Sequence, residues 1–197
     1  MAQQKNILIL GDSLSAGYGI EVKQSWPVLL EQKLQHLHPD ILLTNISISG
    51  QTSIEGVAQI NELLKTYQPQ LLVLELGAND GLRGLSLAEM KRNLGSIIKT
   101  TQDHDVDVLL LGMRIPTNYG RRYTQMFHNT YIELAEEYGT HFIPFMLEPL
   151  FSQGRNSPEK TTGNQLIQAD GLHPTAEAQP MIMAHIWEKL SVLIESL

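Results

Sequence analysis

The sequence predicts an α/β fold: a parallel sheet of about five strands covered by helices on both faces, giving a three-layer α/β/α sandwich. Three observations carry this reading. Short apolar runs recur at 7–10, 41–48, 71–76, 106–113 and 141–145. Helical patterns fill the intervals, at 26–37, 53–67, 87–103 and 121–138, and a last one covers 175–197. The first, third and fourth runs are nearly unbroken Ile, Leu and Val, as expected of strands buried on both faces. Strands that alternate with helices build a parallel sheet with helices above and below.

Each element has its own justification. Ile7-Leu8-Ile9-Leu10 is a short buried strand, Gly11 turns the chain, and Ser13 is the first hydroxyl past the strand's C-terminal end. In open α/β sheets ligands bind at that end, where the strand order reverses. Ser25-Trp26-Pro27 sets proline in a first helical turn, where its missing N–H costs little. Thr52-Ser53-Ile54-Glu55 and Ser86-Leu87-Ala88-Glu89 both fit the capping box. Gly139 stands where the helix over 121–138 needs a C-terminal cap. The least regular stretch, 151–169, includes Gly154-Arg155-Asn156-Ser157-Pro158 and reads as a long loop of the kind that is often functional. Neither a repeat nor a linker divides the chain, so one domain over 1–197 is expected.

Composition narrows the function. The 197 residues are 42% hydrophobic and 18% charged, ordinary for a globular protein. A net charge of −7 argues against a nucleic-acid partner, which would require a basic face. There is no cysteine, which excludes disulfides, thiolate metal sites and a cysteine nucleophile, and leaves the redox compartment open. No run approaches the ~18 apolar residues of a membrane span. Met1-Ala2-Gln3-Gln4-Lys5-Asn6 is polar and the run after it has four residues, too short for a signal-peptide core. The protein is therefore not exported, or a signal has been removed.

A serine nucleophile needs a base for its proton and a group to orient that base. Asp170-Gly171-Leu172-His173-Pro174 supplies both at a spacing that lets a turn set the carboxylate against Nδ1 while Nε2 faces outward. Acyl transfer also needs donors for an oxyanion. Two polar loops follow predicted strands: Ser49-Gly50-Gln51-Thr52, where Gly50 offers an unobstructed N–H, and Gly77-Ala78-Asn79-Asp80, where Asn79 offers an amide. Each feature has a plain structural reading as well. Asp-x-x-His pairs are common on surfaces, Gly50 suits a simple turn, and Asn79-Asp80-Gly81 is a turn sequence. Together they fall on one edge of a parallel sheet, and one site is the simpler account.

Other patterns carry less. Gly-x-Ser-x-Gly and Gly-x-x-x-x-Gly-Lys are absent, against a nucleophile elbow and a P-loop. His36 and His38, two apart, do not share a helix face. His104, His128, His141 and His185 lack ligand-like neighbours and read as structural, and Met181 and Met183 read as core or pocket lining.

These blocks resemble the GDSL, or SGNH, hydrolases. Gly11-Asp12-Ser13-Leu14-Ser15 is similar to the family's nucleophile block, Gly50 falls at its glycine donor, Gly77-Ala78-Asn79-Asp80 is similar to its Gly-x-Asn-Asp block, and Asp170-Gly171-Leu172-His173-Pro174 to its Asp-x-x-His block. Ser15-Ala16-Gly17-Tyr18-Gly19, Gly81-Leu82-Arg83-Gly84 and Asn118-Tyr119-Gly120-Arg121-Arg122-Tyr123 resemble the bacterial thioesterase–arylesterase–lysophospholipase branch; Ala78 departs from the glycine common there. The resemblance implies a flavodoxin-like SGNH fold and a serine esterase acting on carboxylic esters and acyl thioesters. Ser13, His173 and Asp170 would be catalytic, with Ser13, Gly50 and Asn79 donating to the oxyanion. It implies no cofactor or metal, small-molecule substrates with lysophospholipid among them, a monomer, and export to the periplasm, the cytoplasm being the alternative. An apolar acyl groove is expected from Leu14, Ile54, Leu82, Ile115 and Met146. Two rivals stand: a carbohydrate acetylesterase of the same family, separated by acyl-chain length, and a non-catalytic flavodoxin-like module cradling a phosphate at 11–13, which predicts no dependence on His173.

Overall fold

In a computed structural model, which describes residues 4–152, 165–195 and 197, five parallel strands form one sheet. They are β1 (Lys5–Gly11), β2 (Ile41–Asn45), β3 (Leu71–Glu75), β4 (Asp107–Leu111) and β5 (His141–Ile143), in the order β2-β1-β3-β4-β5. Register is set by pairs such as Ile7 with Leu43 on one side of β1 and Leu71 on the other. The central strands are hydrophobic on both faces: Ile7–Leu10 and Leu71–Leu74 are at most 1% exposed, which requires helices above and below.

The principal helices are α2 (Trp26–Leu37), α3 (Ser53–Tyr67), α5 (Leu87–Gln102), α6 (Arg121–Tyr138) and α8 (Gln179–Ile194). Helices α3, α5 and α6 pack side by side as one layer, and α2 packs on α8 as the other. Thr52 and Glu55 form both halves of a capping box; Ser86 accepts from the Glu89 N–H; Gly139 closes α6 in the left-handed region at φ 62°. Among the described residues no helix is long and apolar enough to cross a membrane.

Several expected boundaries move, for identifiable reasons. The strand expected to reach 48 ends at Asn45; beyond it the Ile46 and Ile48 N–H groups still bond the Ile9 and Gly11 carbonyls of β1, while the Asn45 side chain accepts from the Ser47 N–H and hydroxyl. The last helix begins at Gln179 after a single 3₁₀ turn, Ala176–Ala178, with Pro180 in its first turn. Among the described residues three short helices form where the sequence predicts no helix: α1 (Ser13–Ala16), α4 (Ala78–Leu82), in a stretch expected to be a loop, and α7 (Glu148–Ser152). Most of the irregular stretch expected over 151–169 lies outside the described residues.

The chain leaves β1 toward β2 on one side and leaves β3 toward β4 on the other. That reversal puts a crevice at the C-terminal ends of β1 and β3, directly before Ser13 and Asn79.

Candidate active site

Ser13 is the first residue of α1, and Asp12 is its N-cap. The Asp12 carboxylate accepts the Leu14 N–H at 3.0 Å, which winds the chain into a helix at once and leaves the Ser13 side chain half-buried at the end of β1. As the first helical N–H, that of Ser13 has no partner within the helix. The turn is tightly built. A Cβ at Gly11 would lie 2.7 Å from Glu75 Oε2 and 2.9 Å from Ser15 Oγ, so only glycine lets β1 pass this close to them.

His173 reaches the serine from the segment before α8. Its Nε2 lies 2.8 Å from Ser13 Oγ and its Nδ1 lies 2.7 Å from Asp170 Oδ2. The other Asp170 oxygen accepts the backbone N–H groups of Leu172 at 2.9 Å and His173 at 3.0 Å. Burial opposes ionisation of Asp170, but these N–H donors and the His173 ring outweigh it and hold the carboxyl at a pKa of about 2. The segment is braced from outside. Gln168 donates to the carbonyls of Tyr18 and Pro174, and the Tyr18 ring packs on the His173 ring at 4.5 Å between centroids.

The other expected donors line the same space. Gly50 is the third residue of a turn closed by the Gln51 N–H on the Ile48 carbonyl, a position that requires the φ of +85° it adopts. Arg83 donates to the Gly50 carbonyl at 2.8 Å and holds the turn from above. Asn79, which the sequence places in a loop, sits in the first turn of α4. Its Nδ2 donates to Asp12 Oδ2 at 3.0 Å and to the Gln51 carbonyl at 3.1 Å.

A cavity of about 780 Å³ joins these groups. It runs along the C-terminal edge of the sheet, with Ser13 after β1, Gly50 after β2, Asn79 after β3, Ile115 after β4 and Phe145 after β5. Of the expected groove residues, Leu14, Leu82 and Ile115 line it. Ile54 does not: it is 56% exposed on the outer side of α3, and Met146 is fully buried in the core. Among the described residues no cluster of His, Cys, Asp or Glu could hold a metal ion.

Behind the serine lies a group of carboxyls to which the sequence reading gave no role. Glu75 ends β3 with no exposure to solvent. Its Oε2 accepts from the Ser15 hydroxyl at 2.7 Å and the Asp12 N–H at 3.2 Å, while its Oε1 has no partner. Burial, and then the adjacent Asp12 charge, push the Glu75 carboxyl well above the usual range. Burial raises Asp12 to about 6, against the opposing pull of the Leu14 N–H, His173 and Asn79. Asp80, also buried, accepts both the N–H and the hydroxyl of Ser53 and locks α4 to α3. The signal for Glu75 was present in the sequence, as one acidic residue inside the apolar run at 71–76.

Taken as chemistry, a hydroxyl on an imidazole nitrogen, a carboxylate on the other nitrogen and clustered donors beside them suit nucleophilic acyl transfer. Comparison with known proteins agrees. The model of the GDSL-like lipase/acylhydrolase family matches residues 9–179. An arylesterase of Vibrio mimicus is 40% identical over 186 residues, covering 94% of this chain and 88% of the relative. The thioesterase 1/protease 1/lysophospholipase L1 of Escherichia coli K12 is 38% identical over 193 residues, covering 98% and 86%. A crystal structure of TesA superposes with a TM-score of 0.86 at 38% identity, covering 96% of this chain and 99% of that one.

Proposed function

Because the chain belongs to the GDSL-like lipase/acylhydrolase family and is an ester-hydrolysing enzyme of that family's serine esterase kind, we propose that it works through an acyl-enzyme on Ser13. The observation that carries this reading is the relay from Ser13 Oγ to His173 Nε2 at 2.8 Å and from His173 Nδ1 to Asp170 at 2.7 Å. His173 takes the hydroxyl proton as Ser13 Oγ adds to the acyl carbonyl. The negative oxygen is held by the N–H groups of Ser13 and Gly50 and by the Asn79 amide. His173 Nε2 then gives its proton to the leaving alcohol or thiol as the carbon–oxygen or carbon–sulfur bond breaks. A water repeats the cycle on the acyl-enzyme, and the carboxylic acid leaves. Asp170 keeps the ring in the tautomer whose Nε2 can accept.

Aryl and alkyl esters, acyl thioesters and lysophospholipids are the proposed substrates, in keeping with the names of the relatives. One domain, a monomeric state and a periplasmic location belong to the same proposal, and no cofactor enters the steps. The test is a panel of p-nitrophenyl esters of graded chain length with acyl-CoA thioesters, run on the wild type and on Ser13→Ala. Turnover should vanish with the hydroxyl for esters and thioesters alike; persistence in the variant would remove Ser13 as nucleophile.

A further inference from the structure

We propose that Asp12 is a positioning residue for the reaction: its buried carboxylate fixes which end of the Asn79 amide is offered to the oxyanion. This rests on the reading of Asn79 as an oxyanion donor.

A carboxamide has a donor end and an acceptor end of nearly the same shape. Sterics alone therefore do not decide which end faces a site; the neighbours must. At Asn79 the neighbours on one side are both oxygens, Asp12 Oδ2 at 3.0 Å and the Gln51 carbonyl at 3.1 Å. A carboxylate only accepts. The amide nitrogen fits against this pair, and the flipped amide would set its oxygen against two oxygens and turn an acceptor toward a developing anion. With both N–H groups engaged, the oxyanion gains its bond by sharing one of them, as three-centre hydrogen bonds do.

Asp12 is well placed to hold this post. It is 1% exposed, its Oδ1 is tied to the Leu14 N–H, and its own N–H is tied to Glu75. The charged and titratable groups around it are Glu75 from β3, Asp80 from α4, His173 from the segment before α8 and the buried Tyr131 from α6, whose hydroxyl donates to the Leu76 carbonyl. Adjacent buried carboxyls do not readily ionise together. Glu75, wholly enclosed and with one oxygen unpartnered, is the member kept neutral, which leaves the anion on Asp12 facing Asn79. The same carboxylate thus caps the nucleophile's helix through one oxygen and orients the oxyanion donor through the other.

The test compares Asp12→Asn, Asp12→Ser, Asn79→Ala and the Asp12→Asn/Asn79→Ala double variant for kcat, KM and thermal midpoint. Both Asp12 replacements keep an oxygen able to cap Leu14, but Asn puts a donor against Asn79 and Ser is too short to reach it. Asn79→Ala should lower kcat about 10²–10³-fold, as removal of one oxyanion donor does. Each Asp12 variant should lose roughly 10²-fold in kcat with little change in KM, and the double variant should be no slower than Asn79→Ala alone. A folded Asp12→Asn or Asp12→Ser with wild-type kcat, beside a slow Asn79→Ala, would overturn the proposal and leave the Asn79 reading standing. Losses that multiply in the double variant would overturn it too, since Asp12 would then act elsewhere. Wild-type kcat in Asn79→Ala would remove the Asn79 reading and the proposal together.

Discussion

The Ser15 hydroxyl donates to Glu75 Oε2 at 2.7 Å, and both residues are fully buried. Two serines of one short helix therefore have opposite fates. Ser15 is committed to a carboxyl beneath the sheet edge, whereas Ser13 lies on His173 at the cavity. An activated serine attacks phosphorus as it does a carbonyl. A fluorophosphonate should add once, at Ser13, as read by intact mass and peptide mapping. An adduct at Ser15, or none on the folded protein, would contradict the assignment of the nucleophile.

Glu75 makes a prediction about stability and pH. Its carboxyl titrates well above 4.5 in the folded protein and near the ordinary value when unfolded. Above that ordinary value the unfolded chain has released a proton that the folded one still holds, so this group's contribution falls as pH rises. Asp12, raised to about 6, adds a slope of the same sign over its narrower window. Glu75→Gln keeps an oxygen for Ser15 and the Asp12 N–H but cannot ionise. Its buried NH₂ lacks an acceptor, at a cost of about 1–3 kcal/mol that does not depend on pH. The difference in thermal midpoint, variant minus wild type, should therefore increase between about pH 5 and 8. A difference that stays flat would mean Glu75 is ionised in the folded state.

The cavity predicts an acyl preference. Leu14, Leu82, Ile115, Phe145 and Leu147 line it, giving a chain of carbons an apolar wall out to β5. Each buried CH₂ contributes up to ~0.8 kcal/mol, roughly fourfold in kcat/KM. Rates on p-nitrophenyl esters should climb from acetyl through hexanoyl to octanoyl. A clear preference for acetyl would favour the carbohydrate acetylesterase alternative.

Much of this architecture was legible in the sequence, and the gaps have local causes. Helix α3 could be read from end to end because Thr52 and Glu55 announce its start. The apolar pattern of Ile46 and Ile48 carries the expected strand three residues past the end of β2, and their N–H groups do still reach the Ile9 and Gly11 carbonyls of β1. Asn79-Asp80-Gly81 looks like a turn; the helix it forms is tied in place by long-range bonds from Ser53 to Asp80 and from Asn79 to Asp12 and Gln51. Ser13, Asp170 and His173 could be selected because their chemistry demands those residue types, and the structure brings them together. Asp12 has a motif position but no role legible in the sequence, since its partners Glu75 and Asn79 are 63 and 67 residues away and no local spacing reveals them.

Asp170 offers the sharpest test of the relay. Its Oδ1 takes two backbone N–H groups and its Oδ2 takes His173 Nδ1. In Asp170→Asn the oxygen of the new amide still suits the two backbone donors, so its NH₂ is left facing Nδ1. A donor there makes Nδ1 the acceptor and drives the ring proton onto Nε2, where it faces Ser13 and blocks proton uptake. Asp170→Ala leaves Nδ1 to water and imposes no tautomer. Asp170→Asn should thus lose about 10³–10⁴-fold in kcat, in line with the cost of a wrong tautomer in a serine triad, and should be slower than Asp170→Ala. The wild-type carboxyl titrates at about 2, below the ordinary value of 3.8. Its contribution to stability is therefore complete above that ordinary value and is lost only as pH falls toward 2, so thermal midpoints near neutrality report folding without interference from its titration. Measuring kcat and midpoint for both variants on the same ester decides the point. An Asp170→Asn protein as active as Asp170→Ala would show that Asp170 does not set the tautomer of His173.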